Sequence, residues 1–128
     1  MARFERRGLV AAAIMLTSPG IPMIFQGQEM LETRDFGFST PTPMDFSRAT
    51  DPQTSGIVQM YRDLIALRRN LQGTTRGLTG QSLNVFHRDD NNKTLAYHRW
   101  DAGGTGDDVV VVANFANVPQ PSTGAQRF

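Results

Sequence analysis

The feature that most constrains the fold is a short apolar run at residues 21–25, bounded by Gly20 and Gly27. A strand in which every residue is apolar is typical of a parallel sheet that is buried on both faces. The run follows residues 3–17, which are rich in helix-forming Ala, Leu, Ile and Met and must end before Ser18-Pro19-Gly20. A helix, a tight turn and a buried strand in this order predict the second half of a βαβ unit.

A long loop and a second helix are predicted next. Residues 30–56 contain three prolines and many small polar residues, and loops of this length in compact domains are usually functional. Apolar residues then recur at three- and four-residue spacing from Ile57 to Leu71, and the basic pair Arg68-Arg69 would complement the dipole of a helix near its end. Gly73 is predicted to end this helix.

After Gly73 the hydrophobic period changes to two. Two alternating runs, around Leu83 and Tyr97, flank the cluster Asp89-Asp90-Asn91-Asn92, whose residue types tolerate the turn of a β-hairpin. A third strand is predicted from Val109 to Phe115. The C-terminal half therefore predicts antiparallel strands.

Composition excludes several classes of function. The 128 residues are enough for one core of moderate size, and 39% hydrophobic residues are too many for a disordered chain. A net charge of +1, with no long run of either sign, gives no reason to expect nucleic acid or an anionic membrane surface as partner. The absence of cysteine removes disulfides and thiolate chemistry, and no cofactor or metal site is predicted.

The N-terminus imitates a secretory signal. Arg3, Arg6 and Arg7 precede the apolar run Leu9 to Leu16, but Glu5 interrupts the basic cluster and no small-x-small cleavage site follows. The run is also shorter than the roughly 20 residues that span a bilayer. We therefore predict a buried helix and a cytoplasmic protein, and an exported structural protein remains the alternative.

Three segments carry a family resemblance. They read TSPGIPMIFQGQE at residues 17–29, PMDFS at residues 43–47 and YRDLIALRR at residues 61–69. In this order they resemble the eighth barrel strand, the P-L/M-D-W segment and the last barrel helix of the α-amylase superfamily of glycoside hydrolases. Phe46 replaces the tryptophan that is usual in the second segment.

The resemblance implies an α/β plus all-β fold, namely the last part of a (β/α)8 TIM barrel followed by the start of an antiparallel C-terminal β-domain. Residues 1–72 would complete the barrel and residues 73–128 would begin the β-domain. The implied function is that of the C-terminal portion of an enzyme acting on α-glucans of the starch or glycogen type, either a 1,4-α-glucan branching enzyme or an α-amylase with a retaining mechanism.

Catalytic residues are not expected in this chain. The retaining mechanism needs two carboxyl groups about 5 Å apart, which the family carries on earlier strands, and none of those motifs is present. The segment at residues 85–90, VFHRDD, superficially resembles the family's strand-seven motif, but we interpret it as a solvated turn. The isolated chain is therefore predicted to be inactive.

Substrate-binding candidates are Gln28, Glu29 and Asp45. The resemblance places Gln28 and Glu29 at the carboxyl end of a barrel strand, where function concentrates, although both could instead satisfy backbone groups of the loop. Asp45, like Asp35, could bind sugar hydroxyls or simply shape a turn. We predict structural roles for the remaining polar and aromatic candidates, His87, His98, Tyr97 and Trp100, although the last two could stack on sugar rings.

Besides the exported structural protein, a further alternative function remains. The β-portion alone could be a carbohydrate- or protein-binding module without catalysis, which a set of exposed aromatic side chains would favour.

Overall fold

The computed structural model describes residues 3–37 and 39–117. It contains two α-helices, α1 (Arg3–Thr17) and α2 (Ser55–Arg68), and three strands, β1 (Ser82–Asp89), β2 (Thr94–Trp100) and β3 (Val109–Asn114). Short 3₁₀ helices lie between them at Gln28–Met30, Phe46–Ala49 and Arg76–Leu78. The strands form one antiparallel sheet in the order β1-β2-β3.

The predicted portion of a (β/α)8 barrel is wrong. The described residues form a small α/β domain with two helices and one three-stranded antiparallel sheet. Residues 21–25, predicted as a buried parallel strand, are not part of any sheet in the described chain. A parallel strand exists only through hydrogen bonds to neighbouring strands, and no described segment supplies them here. The boundary predicted between residues 72 and 73 stays a prediction.

The predicted helices are confirmed, with one change at an end. Helix α1 spans the predicted residues and stops at Thr17, where Ser18-Pro19-Gly20 follows and Gly20 adopts a φ of 98°. Helix α2 ends at Arg68, before the predicted Gly73, because Asn70 adopts a left-handed φ of 53°.

The two helices share a core. Ala12 and Leu16 of α1 are buried against Ile57 and Tyr61 of α2, and all four are at most 4% exposed. Partly buried apolar side chains surround them, including Ile24 from the extended segment. Full burial of a side chain such as Leu16 contributes about 1.5–3 kcal/mol, so this contact holds α1, the segment at residues 21–25 and α2 in one unit.

The predicted hairpin is also confirmed. Strand β1 pairs with β2 in a register that places Asp89 opposite Thr94. Strand β2 pairs with β3 in a register that places Tyr97 opposite Val111. The carboxylate of Asp89 accepts the main-chain N–H groups of Asn91 and Asn92, each at 2.9 Å, which closes the turn. A β-bulge interrupts β1 between Val85 and His87.

Two arginines hold the end of α1. Arg99 on β2 is 0% exposed and donates to the main-chain oxygens of Thr17, Ser82, Leu78 and Gly80. Arg68 at the end of α2 donates to the main-chain oxygens of Ser18 and Gly20. Cations at this position complement the negative end of the helix dipole. The hydrogen bonds of Arg99 and Arg68 therefore fix the direction in which the chain leaves α1 and enters residues 21–29.

Candidate functional site

A glycine turn presents the first two predicted site residues. Gly27 has a φ of 80°, and a Cβ atom there would lie 2.5 Å from Cβ of Glu32. The carbonyl of Gly27 accepts the N–H groups of Met30 and Glu32 at 3.0 and 2.9 Å, which folds the chain into the 3₁₀ helix Gln28–Met30. Only glycine fits this conformation and close approach. Gln28 and Glu29 are therefore carried on a tight turn.

Gln28 connects this turn to α2. Its Nε2 donates to the hydroxyl of Tyr61 at 3.0 Å, and its Oε1 accepts the N–H of Phe25 at 3.3 Å. Tyr61 is 4% exposed, so the hydrogen bond lies against the helical core. Both ends of the Gln28 amide have partners, which matches the structural alternative considered for this residue.

Glu29 carries an unsatisfied carboxylate oxygen. Its Oε2 atom is buried and makes no hydrogen bond to any residue in the described chain. Burial raises the pKa of the Tyr61 hydroxyl, and the nearby negative charge of Glu29 adds to this effect. The hydrogen bond from Gln28 acts in the opposite direction and is outweighed. A buried acceptor without a partner costs about 1–3 kcal/mol, so a hydroxyl group or water placed at Oε2 would be stabilised.

Asp45 shapes a turn. It is the N-cap of the 3₁₀ helix Phe46–Ala49, and its Oδ1 accepts the N–H and the hydroxyl of Ser47 at 3.0 and 2.6 Å. These two hydrogen bonds, with the nearby Arg34 guanidinium, lower the pKa of Asp45. Burial would raise this pKa, but its effect is smaller. Asp45 remains exposed, so its second oxygen is within reach of solvent molecules.

The structure brings the two predicted segments together. Arg48 donates through Nε and Nη2 to the carbonyls of Met30 and Leu31, each at 3.0 Å, and Sδ of Met44 lies 3.4 Å from the position of a Cβ on Gly27. The segment that carries Asp45 therefore packs on the turn that carries Gln28 and Glu29. No hydrogen bond joins Asp45 directly to Gln28 or Glu29.

An ion pair next to these residues was not predicted. Arg34 Nη2 lies 2.6 Å from Glu32 Oε2. The hydrogen bond from the Arg34 side chain, together with those from the N–H groups of Arg34 and Thr33, lowers the pKa of Glu32 to about 2. Burial of the Glu32 carboxylate acts in the opposite direction and is outweighed. The Asp45 carboxylate interacts with both charges. The signal in the sequence is an acid and a base two residues apart in the loop, which alone is too common to single out.

The other candidates have structural partners. His87 Nε2 lies 3.0 Å from the Thr94 hydroxyl, and His98 Nε2 lies 2.7 Å from Asp108 Oδ1. The His98 ring also stacks on Trp100 with centroids 4.8 Å apart, which covers one face of the indole.

Tyr97 is 3% exposed, so its ring is not accessible to a sugar. Its hydroxyl lies 2.5 Å from Oγ1 of Thr17, which ties the sheet to the end of α1. Asp35 is exposed, and it makes no hydrogen bond within residues 3–37 and 39–117.

Within the described ranges, no group of three or more His, Asp or Glu side chains is placed to hold a metal ion. No described helix has the length and apolar character needed to cross a membrane. Comparison of the chain with protein-family models, curated proteins and solved structures gives no match.

Proposed function

We propose that this chain belongs to an α-glucan-acting enzyme of the α-amylase type, in which it contributes substrate contacts and no catalytic carboxylate. The observation that carries the proposal is the packing of the Asp45 segment on the Gly27–Glu29 turn, made by Arg48 and Met44. Two segments that resemble the same family are thus adjacent in space, as joint contributors to one binding surface would be.

The chemistry of this surface suits a polyhydroxyl ligand. Glucose units present hydroxyl groups that donate to carboxylates and accept from guanidinium groups, and the two adjacent segments carry carboxylates at Glu29 and Asp45 and a guanidinium group at Arg34. The buried Oε2 of Glu29 is the acceptor for which a ligand hydroxyl would change the energy most.

Two carboxyl groups near this surface, those of Glu32 and Asp45, are poorly suited to acid catalysis. A general acid must be protonated near neutral pH, so its pKa has to be raised. The pKa of Glu32 is instead lowered to about 2 and that of Asp45 is lowered as well. Both carboxylates stay ionised, which favours a binding role.

Binding of maltoheptaose, followed by the backbone amide NMR signals, tests the proposal. We expect concentration-dependent shifts at residues 27–34 and 44–48, and weaker binding by Glu29→Gln. Asp90→Asn, an exposed carboxylate on the β-hairpin, is the matched control and should bind as the parent does. Cellohexaose, with β-linkages, is the control ligand.

Equal shifts with both sugars, or shifts confined to the sheet, would contradict the proposal and favour the binding-module alternative. For that alternative Tyr97 is buried and Trp100 is partly covered by His98, so the aromatic side chains that it would use are Phe86 on β1 and Phe115 after β3, which are 45% and 49% exposed. The cytoplasmic location expected from the sequence remains part of the proposal, and fractionation of cells that produce the tagged protein would test it.

A further inference from the structure

The side chain of Phe25 is exposed although its main chain is held at both polar groups. The Phe25 N–H donates to Oε1 of Gln28 at 3.3 Å, and the Phe25 carbonyl accepts the Gln28 N–H at 3.0 Å. The ring of Phe36 meets that of Phe25 edge to face, with centroids 6.2 Å apart. Phe25 nevertheless stays 65% exposed. A ring restricted in this way can contact a ligand with little further loss of conformational entropy.

The two segments that carry Phe25 and Phe36 also carry polar groups of the candidate site. Gln28, which holds Phe25, is followed by Glu29, whose buried Oε2 has no hydrogen-bond partner in the described chain. Phe36 lies two residues after Arg34, whose side chain is 41% exposed. A partner that is apolar throughout would cover the ring but leave the Glu29 oxygen unsatisfied. The surface therefore fits a ligand with an apolar face and hydroxyl groups around it.

We propose that Phe25 is the stacking platform for one glucose unit at the candidate site, an inference that rests on the proposed function. A pyranose ring carries C–H groups on its faces and hydroxyl groups around its edge. One face lies on the phenyl ring, while the edge hydroxyls reach the polar groups of the neighbouring turn. Phe25 thus contributes affinity for the sugar ring itself, whereas Glu29 supplies a hydrogen-bond acceptor.

Two other exposed aromatic side chains are weaker candidates for this role. Phe46 is 68% exposed and lies on the adjacent segment, but it follows Asp45, whose Oδ1 already accepts two hydrogen bonds from Ser47. Phe86 is 45% exposed on β1, which is part of the sheet and of neither segment of the site. Of the three, only Phe25 is hydrogen-bonded to the residue that precedes the unsatisfied carboxylate.

Titration of the whole chain with maltoheptaose, followed by the backbone amide NMR signals, tests the inference. We expect Phe25→Ala to weaken binding about fivefold or more, and Phe25→Trp, which keeps an aromatic face, to bind at least as tightly as the parent. Phe25→Leu keeps the apolar character without the ring and should resemble Phe25→Ala. Phe86→Ala is the matched control and should bind as the parent does.

Tryptophan fluorescence gives a second measurement that removes no large side chain. Trp100 is the single tryptophan of the chain, so a change seen in Phe25→Trp and not in the parent comes from the new indole. Its emission should change saturably as maltoheptaose is added. Emission of the parent and of Phe86→Trp should stay constant.

The outcomes separate this inference from the proposed function. Equal binding by the parent and Phe25→Ala, or a loss of binding with Phe46→Ala alone, would overturn the inference and leave the proposed function standing. Emission of Phe25→Trp that changes with protein concentration in the absence of sugar would show that a second copy covers the ring, which would also overturn it. A parent chain that does not bind maltoheptaose would overturn both.

Discussion

Arg99 Nη1 donates to the main-chain oxygen of Thr17 at 2.5 Å, across 82 residues of sequence. The contact joins the sheet to the C-terminal end of α1, and the adjacent hydrogen bond between Tyr97 and Thr17 reinforces it. Burial, followed by the charge of Arg68, lowers the pKa of Arg99. No carboxylate in the described chain forms an ion pair with this guanidinium, so its charge is balanced by carbonyl dipoles.

Replacement of Arg99 by methionine should destabilise the fold. Four main-chain oxygens, including those of Ser82 and Gly80, would lose a charged donor, and hydrogen bonds to charged groups contribute about 1.5–3 kcal/mol each. We expect a loss of about 3 kcal/mol or more in the free energy of unfolding, measured by urea denaturation. Arg88→Met, at an exposed ion pair, should change it by less than about 0.5 kcal/mol. Equal effects would contradict the role of Arg99.

Substitutions at two glycines, Gly77 and Gly56, test how closely the 3₁₀ helix Arg76–Leu78 packs on the sheet. A Cβ at Gly77 would lie 2.6 Å from the carbonyl oxygen of Arg99 and would also collide with that of Asp107. Gly77→Ala should therefore cost about 1–3 kcal/mol. Gly56→Ala, in α2 with open space around the position, should stabilise the chain by up to about 1 kcal/mol. Thermal unfolding of both variants measures the difference, and destabilisation by both would count against this account.

Acid should weaken the β2–β3 connection. Burial raises the pKa of Asp107, but the N–H donors of Asp101, Gly103 and Ala102 outweigh it, and the pKa is lowered overall. A lowered folded-state pKa contributes stability that is fully present above the ordinary aspartate pKa of about 3.9 and is lost as pH falls through the folded value. Urea denaturation between neutral pH and strong acid should show this loss.

Asp107→Asn should remove part of that pH dependence, whereas the exposed control Asp90→Asn should retain it. The same slope in all three proteins would show that Asp107 does not contribute. Glu32, whose pKa is lowered to about 2 by Arg34, should add a second loss at the acid end of the range. Glu32→Gln would separate the two contributions.

The isolated chain should not turn over starch, glycogen or maltooligosaccharides. Two of the carboxylates at the candidate site, Glu32 and Asp45, have lowered pKa values, so neither can act as the protonated acid that glycosidic cleavage needs. The iodine colour of amylose, followed over time against a buffer control, is the measurement. A loss of colour that persists in Glu29→Gln and Asp45→Asn variants would point to a catalytic group elsewhere in the chain.

Several parts of the candidate site could be predicted from the sequence. The turn at Gly27 and the polar residues after it, Gln28 and Glu29, follow from local order along the chain. The ion pair of Glu32 with Arg34 and the cap made by Asp45 are also local, but their residue types are common in loops. What local sequence could not show is that Arg48 binds the carbonyls of Met30 and Leu31 and so joins the two segments.

The helices and the hairpin were determined by the sequence alone, because hydrophobic period, proline and glycine act over a few residues. The strand pairing and burial of residues 21–25 were not determined by the sequence alone. An apolar run has the same pattern whether strands lie beside it or not, and only the tertiary structure shows Ile21 exposed and Ile24 partly buried against the helices. The same holds for Arg99, whose burial depends on carbonyls from four distant positions. Local propensity determines elements, whereas pairing and burial depend on which surfaces meet after the chain has folded.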